Sequence, residues 1–141
     1  MASRALRLRR LLKGVHRDFW EAWKAISGPV EAAVGAQPVP LVGHSLGAAI
    51  VIMSAVEMTL AGRAPVSVYG FEPPRVSTGL GVRRLLANVH VVLFKNGSDV
   101  VPYMPLGWNH AALLTHIGKS AFPNGQDHVL ARVIEAHPGT A

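Results

Sequence analysis

The chain has 141 residues, half of them hydrophobic and 16% charged, and no cysteine. That suits one globular domain with ample material for a core; it excludes a disordered chain, a disulfide framework and a thiolate metal site. The formal net charge of +6 comes largely from the first 13 residues, so the remainder does not read as a nucleic-acid binder, and no apolar run reaches the ~18 residues of a membrane span.

In chain order, Arg4, Arg7, Arg9, Arg10 and Lys13 alternate with Leu6, Leu8, Leu11 and Leu12. This reads as a solvated basic helix or a frayed terminus, with a membrane-surface or nucleic-acid-binding arm as the functional alternative. The segment lacks the apolar core and cleavage site of a secretory signal, so the cytoplasm is the default compartment. Val15, Phe19, Trp23, Ile26, Val30 and Val34 recur at three- and four-residue steps. They predict one apolar face of a helix over about 15–34, kinked or broken at Ser27-Gly28-Pro29. A proline-bounded apolar stretch at 38–42 predicts a buried strand, and 46–58 a helix apolar nearly all round. Alternation over 66–71 predicts a second strand, and Glu72-Pro73-Pro74-Arg75 must leave the sheet because paired prolines cannot continue a ladder. A short helix over 79–86, a strong strand over 89–94 and a polar turn over 95–99 follow. A last strand falls within 111–117, a loop over 119–127 and a closing helix over 128–136. The alternation implies an α/β fold with a mainly parallel sheet of about four strands and flanking helices.

Gly43-His44-Ser45-Leu46-Gly47 is a G-x-S-x-G pentapeptide between the first strand and the 46–58 helix. On a sharp strand-to-helix turn this spacing stands the Ser45 hydroxyl clear of the backbone, where a histidine can reach it. Side chains at both glycine positions are expected to collide with the neighbouring strand and helix. The Leu46 N–H then sits at a helix N-terminus, aimed at the place where an oxyanion develops. The plainer alternative is that both glycines merely permit a tight connection.

A serine hydroxyl is a poor nucleophile at neutral pH and needs a base, itself oriented by an acid. Of the three aspartates, Asp18 lies upstream of Ser45 and Asp127 sits beside a candidate histidine. Asp99 alone ends a strong strand downstream, where ligand-facing residues of open α/β sheets collect; capping of its own turn is the alternative role. Among seven histidines, His128 opens the closing helix after a long loop and is the best base, with His116 in reserve. His110 and His137 are less well placed, and His44 is assigned to packing. A metal site from His110, His116 and His128 lacks a carboxylate at standard spacing. No metal or cofactor is expected.

These residues together resemble the class 3 lipases, the fungal-type triacylglycerol lipase family of the α/β-hydrolases. Val15-His16-Arg17-Asp18-Phe19 is similar to the family's V-H-x-G-F, and Gly43-His44-Ser45-Leu46-Gly47-Ala48-Ala49 to its G-H-S-L-G-G-A. Tyr69-Gly70-Phe71-Glu72-Pro73-Pro74-Arg75-Val76 resembles its strand followed by x-P-R-V, and Asn96-Gly97-Ser98-Asp99-Val100-Val101-Pro102 its acid loop. His116-Ile117-Gly118 and Asp127-His128-Val129 match two further landmarks. The resemblance covers positions 15 to about 133. It implies a partial α/β-hydrolase fold and ester hydrolysis through an acyl-enzyme on an ester or lipid substrate. In that scheme Ser45 is the nucleophile, Asp99 the acid, His128 the base and the Leu46 N–H the oxyanion donor.

The departures shape further expectations. Asp18 and Ala48 replace family glycines, and positions 1–14 carry no F-R-G-[ST] motif, which in the family supplies a second oxyanion donor. The upstream strands are missing, so the chain divides into a basic segment, 1–14, and an incomplete lipase-like core, 15–141. An unpaired apolar edge invites pairing with another chain, as a homodimer or with a companion segment. Lacking one donor costs typically ~100- to 1000-fold in rate. A weak or inactive binding module, or half of a split enzyme, is therefore the alternative to an active esterase.

Overall fold

The structure is a computed structural model that describes residues 2–119 and 125–137; positions 120–124 of the expected 119–127 loop lie outside them. Four strands form the sheet: β1 (Pro40–His44), β2 (Ser67–Phe71), β3 (His90–Asn96) and β4 (Leu114–Ile117). They lie in the order β1-β2-β3-β4, and every neighbouring pair is parallel. The helices are α1 (Arg4–Leu12), α2 (Arg17–Val34), α3 (Leu46–Leu60), α4 (Gly81–Leu85) and α5 (Leu130–Ala136).

The two-residue period of β3 explains the layering. Val91 and Leu93 face a core shared with Ile52, Met53 and Val56 of α3 and Trp23 of α2. Val92 and Phe94 face the opposite side, where Val133 of α5 and Ile117 pack. Both faces of the parallel sheet are thus covered, as its unalternating apolar strands require. The segment 2–14 joins the first of these cores. Ser3 caps α1 by accepting the Leu6 N–H at 3.2 Å, Leu8, Leu11 and Leu12 pack inward, and the arginines stay exposed.

Three expectations need correction. α2 runs unbroken past Pro29, although that residue has no N–H to bond back along the helix. Its apolar face carries Ser27, not Ile26: the helix turns Ile26 outward, 44% exposed, and buries Ser27. A four-residue step from Trp23 keeps Ser27 in line, and its hydroxyl is satisfied by the Lys24 carbonyl at 3.2 Å. The first strand is not buried either. β1 is an edge strand that starts two residues later than expected, and Val42 is 61% exposed.

Because the strands are parallel, the segments that follow β1, β2 and β3 all emerge at one edge of the sheet. That is where open α/β sheets gather their functional groups. No helix among the described residues is long and apolar enough to cross a membrane.

Candidate active site

Ser45 is the residue between β1 and α3, and it holds a left-handed backbone, φ 55 and ψ −123. Its N–H continues the ladder to the Phe71 carbonyl at 2.9 Å, while its own carbonyl accepts from Ala48 at 3.0 Å and so starts the helix. A non-glycine residue in this region costs on the order of 1–3 kcal/mol, the kind of local strain concentrated at functional sites. Gly43 is what lets the turn close. A Cβ there would stand 2.5 Å from the Gly47 carbonyl carbon and 2.7 Å from the Ala48 nitrogen. The same does not hold at Gly47, where a Cβ would meet nothing within 4 Å. The expected collision therefore exists at one glycine only, since Gly47 lies on the open side of the first turn of α3. The Leu46 amide is the first N–H of that same turn, with no helical carbonyl before it to accept from it.

The structure brings Ser45, His128 and Asp99 into one hydrogen-bonded chain. His128 Nε2 lies 2.7 Å from Ser45 Oγ, and His128 Nδ1 lies 2.6 Å from Asp99 Oδ2. An ionised carboxylate can only accept, so Nδ1 carries the proton and Nε2 is left to accept from the serine hydroxyl. Asp99 is 4% exposed. Burial pushes its carboxyl up, but the neighbouring Glu72, the Val101 amide on Oδ1 at 3.0 Å and His128 outweigh that and hold it below its ordinary value.

His116 and His110 are held apart. His116 Nε2 bonds the Gly97 carbonyl at 2.9 Å, and His110 Nε2 bonds the Pro102 carbonyl at 2.7 Å. Burial pushes the His110 imidazole below its ordinary value. The trio weighed for a metal is thus not assembled. Glu72, Asp99 and His128 do bring potential ligand atoms within 4.8 Å of one another, but both ring nitrogens of His128 are already engaged by Asp99 and Ser45.

Three contributions escaped the sequence reading. His44, assigned there to packing, bonds the His128 carbonyl through Nε2 at 2.8 Å, and the two rings sit 4.9 Å apart. Its position next to Ser45 was the available signal. Asp127 clamps the histidine segment to the acid loop: its Oδ2 accepts the Ser98 N–H at 2.9 Å, and its carbonyl accepts from Asn96 Nδ2 at 3.1 Å. Gly97, at φ 49, leaves the room this clamp needs, because a Cβ there would stand 2.7 Å from Asp127 Oδ2.

The third is Glu72, which the sequence placed in a chain-reversing Pro-Pro segment. It is wholly buried, and its backbone is left-handed, φ 52. Its Oε1 accepts the Asn96 N–H, and its Oε2 receives no donor among the described residues. Burial first, and then the adjacent Asp99, push its carboxyl up to about 9. A carboxylate at the end of β2, on the edge where the Ser45 and Asp99 segments emerge, was the signal to follow.

Comparison with known proteins agrees with this architecture. The family model described as Lipase (class 3) matches residues 6–108. Secreted mono- and diacylglycerol lipase A of Penicillium camembertii is 28% identical over 95 residues, covering 62% of this chain and 31% of its own length. Secreted mono- and diacylglycerol lipase 1 of Fusarium solani is 28% identical over 110 residues, covering 70% and 33%. The chain thus spans about a third of the length of these curated relatives. Both are named as secreted, so the cytoplasmic default gains no support from them. Among solved structures, Rhizomucor miehei triacylglyceride lipase superposes with a TM-score of 0.65 at 23% identity, over 73% of this chain and 44% of that one. Mono- and diacylglycerol lipase from Aspergillus oryzae gives 0.64 at 23% identity, over 78% and 44%. Those two likenesses speak to the fold.

Proposed function

Because the chain belongs to the class 3 lipase family, its model matching residues 6–108, we propose that it carries the hydrolytic half of a serine ester hydrolase. The unbroken chain from Ser45 Oγ to His128 to Asp99, at 2.7 and 2.6 Å, is the observation that carries this reading. Ser45 Oγ attacks the ester carbonyl while His128 Nε2 takes its proton. The Leu46 N–H stabilises the oxyanion, and His128 returns the proton to the departing alcohol. Water, deprotonated by the same imidazole, then releases the acid from Ser45. Asp99 fixes the tautomer and meets the charge of the imidazolium. Exposed Leu46, Val100, Val129 and Leu130 adjoin the three residues in the chain and suit an apolar acyl group.

The open edge of β1, with Val42 61% exposed, favours a second reading. Here a companion segment or second copy pairs with β1, and the chain is weak or inactive alone. One experiment serves both readings. Short-chain p-nitrophenyl ester hydrolysis and fluorophosphonate labelling are measured for the chain and for Ser45→Ala. The first reading expects labelling at Ser45 and a loss of turnover on the order of 10⁶-fold in the variant. Turnover that survives the substitution overturns it. A dimer that neither labels nor turns over supports the second.

A further inference from the structure

We propose that Glu72 is a positioning residue, held as a neutral carboxylic acid that donates a hydrogen bond from Oε2 to the Asp99 carboxylate. The inference rests on the reading of Ser45, His128 and Asp99 as the reacting chain. It begins from an accounting of polar atoms. Glu72 is wholly buried, its Oε1 is occupied by the Asn96 N–H, and its Oε2 has no donor among the described residues. Glu72 and Asp99 bring carboxylate oxygens within 4.8 Å of each other, and the Asp99 oxygens already accept from Val101 and His128. Two ionised carboxylates in buried contact repel, so such a pair keeps one proton between them.

The partners decide where that proton sits. Asp99 receives two N–H donors, one from an imidazole, and both favour its ionised form. Glu72 receives one. The proton therefore belongs to Glu72, whose carboxyl lies at about 9 through burial and the proximity of Asp99. Lys95 on β3 is the cation that faces the pair, and it does not reverse the order: its ammonium is spent on the Gly97 carbonyl.

Backbone strain points the same way. Glu72 holds φ 52 directly before Pro73, a position glycine would occupy at lower cost. A side chain retained there against that cost is one whose carboxyl is used. Its use follows from chemistry. A donor on Asp99 draws off part of its charge and fixes the carboxylate plane, so the Asp99 bond to His128 Nδ1 is directed. The groups that face the His128 ring are Asp99 with its Glu72 donor, His44 with its ring tilted at 4.9 Å, and the Ser45 hydroxyl.

The test uses the full chain and two substitutions. In infrared difference spectra at pH 7, the parent should show a protonated-carboxylic-acid carbonyl band that Glu72→Gln removes. Glutamine keeps both the acceptor for Asn96 and a donor for Asp99, so the His128 midpoint, read by imidazole NMR, should equal that of the parent. Glu72→Leu removes the donor and should raise that midpoint by about one pH unit, carrying the acid limb of kcat/KM with it. Absence of the band in the parent overturns the proposal. So does a Glu72→Gln midpoint lowered by about one unit, which marks an ionised Glu72, or a Glu72→Leu midpoint equal to the parent's. Should the leucine variant not fold, the band and the glutamine midpoint decide. Neither readout uses turnover, so a failure of the ester-hydrolase reading shows in Ser45→Ala and leaves the protonation of Glu72 separately decided.

Discussion

Gly43→Ala and Gly47→Ala should move stability in opposite directions, although both glycines belong to one pentapeptide. At position 43 the added methyl would lie 2.5 Å from the Gly47 carbonyl carbon and 2.7 Å from the Ala48 nitrogen, with the Gly47 oxygen nearer still. Ordinary van der Waals contact begins near 3.4 Å, so the strand and the first turn of α3 must part by about 1 Å. Overpacking against side chains costs roughly 1–3 kcal/mol. Here the obstacles are backbone atoms that cannot swing aside, so the loss should reach about 3 kcal/mol or more, a large part of the roughly 5–15 kcal/mol that holds a domain together. At position 47 the methyl meets nothing within 4 Å, and alanine is the better helix former, so a gain of about 0.5–1 kcal/mol is expected. Urea unfolding of the parent and both variants measures the pair of shifts, and fluorophosphonate labelling reports whether the turn still presents Ser45. A Gly43→Ala chain that unfolds within about 1 kcal/mol of the parent and labels at the same rate would refute the reasoning.

Asp99→Asn should lower ester turnover by about 10⁴-fold, because an amide that donates to Nδ1 holds the imidazole in the wrong tautomer; steady-state kinetics with an unchanged circular-dichroism spectrum checks it. Glu72 should also leave a mark on stability. Its carboxyl rises from 4.5 when exposed to about 9 in the fold, so between those values the unfolded chain has lost a proton that the native state keeps. Its contribution to stability therefore falls as pH rises across that window, at up to about 1.4 kcal/mol per pH unit. Urea midpoints for the parent and Glu72→Gln at pH 6 and pH 8 should diverge accordingly, with the glutamine variant gaining on the parent at the higher pH. Parallel midpoints would count against a raised Glu72.

What could be read from the sequence was what depends on near neighbours in the chain. The alternating run that became β2, the apolar helix after Ser45 and the Pro73-Pro74 stop express local geometry, and the elements follow them closely. The order of Ser45, Asp99 and His128 was also legible, because a parallel sheet carries each strand's exit to the same edge. Ile26 and Ser27 were misjudged because a three-residue and a four-residue step both fit a helical face, and only the packing of Trp23 selects between them. Gly47 was misjudged because which side of the turn a Cβ faces depends on the path of the backbone. Glu72 and His44 offered only their positions, at a strand end and beside Ser45, and not what they bond. Their partners, Asn96 and His128, are 24 and 84 residues away in the chain, and nothing in a Phe-Glu-Pro-Pro string announces a buried acid.

Ser45 and Glu72 are geometric counterparts. His44, Phe71 and Phe94 share one rung of the ladder, and the residue after each of the first two leaves the sheet in the same way. The Ser45 N–H reaches the Phe71 carbonyl at 2.9 Å, and the Glu72 N–H reaches the Phe94 carbonyl at 2.8 Å, with φ values of 55 and 52. These are the two non-glycine residues with positive φ in the described chain. Each stands where glycine would be less strained, and each turns its side chain toward the Asp99–His128 pair, Ser45 from the solvent end and Glu72 from the buried end. Local strain of roughly 1–3 kcal/mol at two adjacent strand ends is hard to explain by folding alone. It follows naturally if both side chains belong to one proton-handling chain: a hydroxyl that gives up its proton at one end, and an acid that keeps its own at the other.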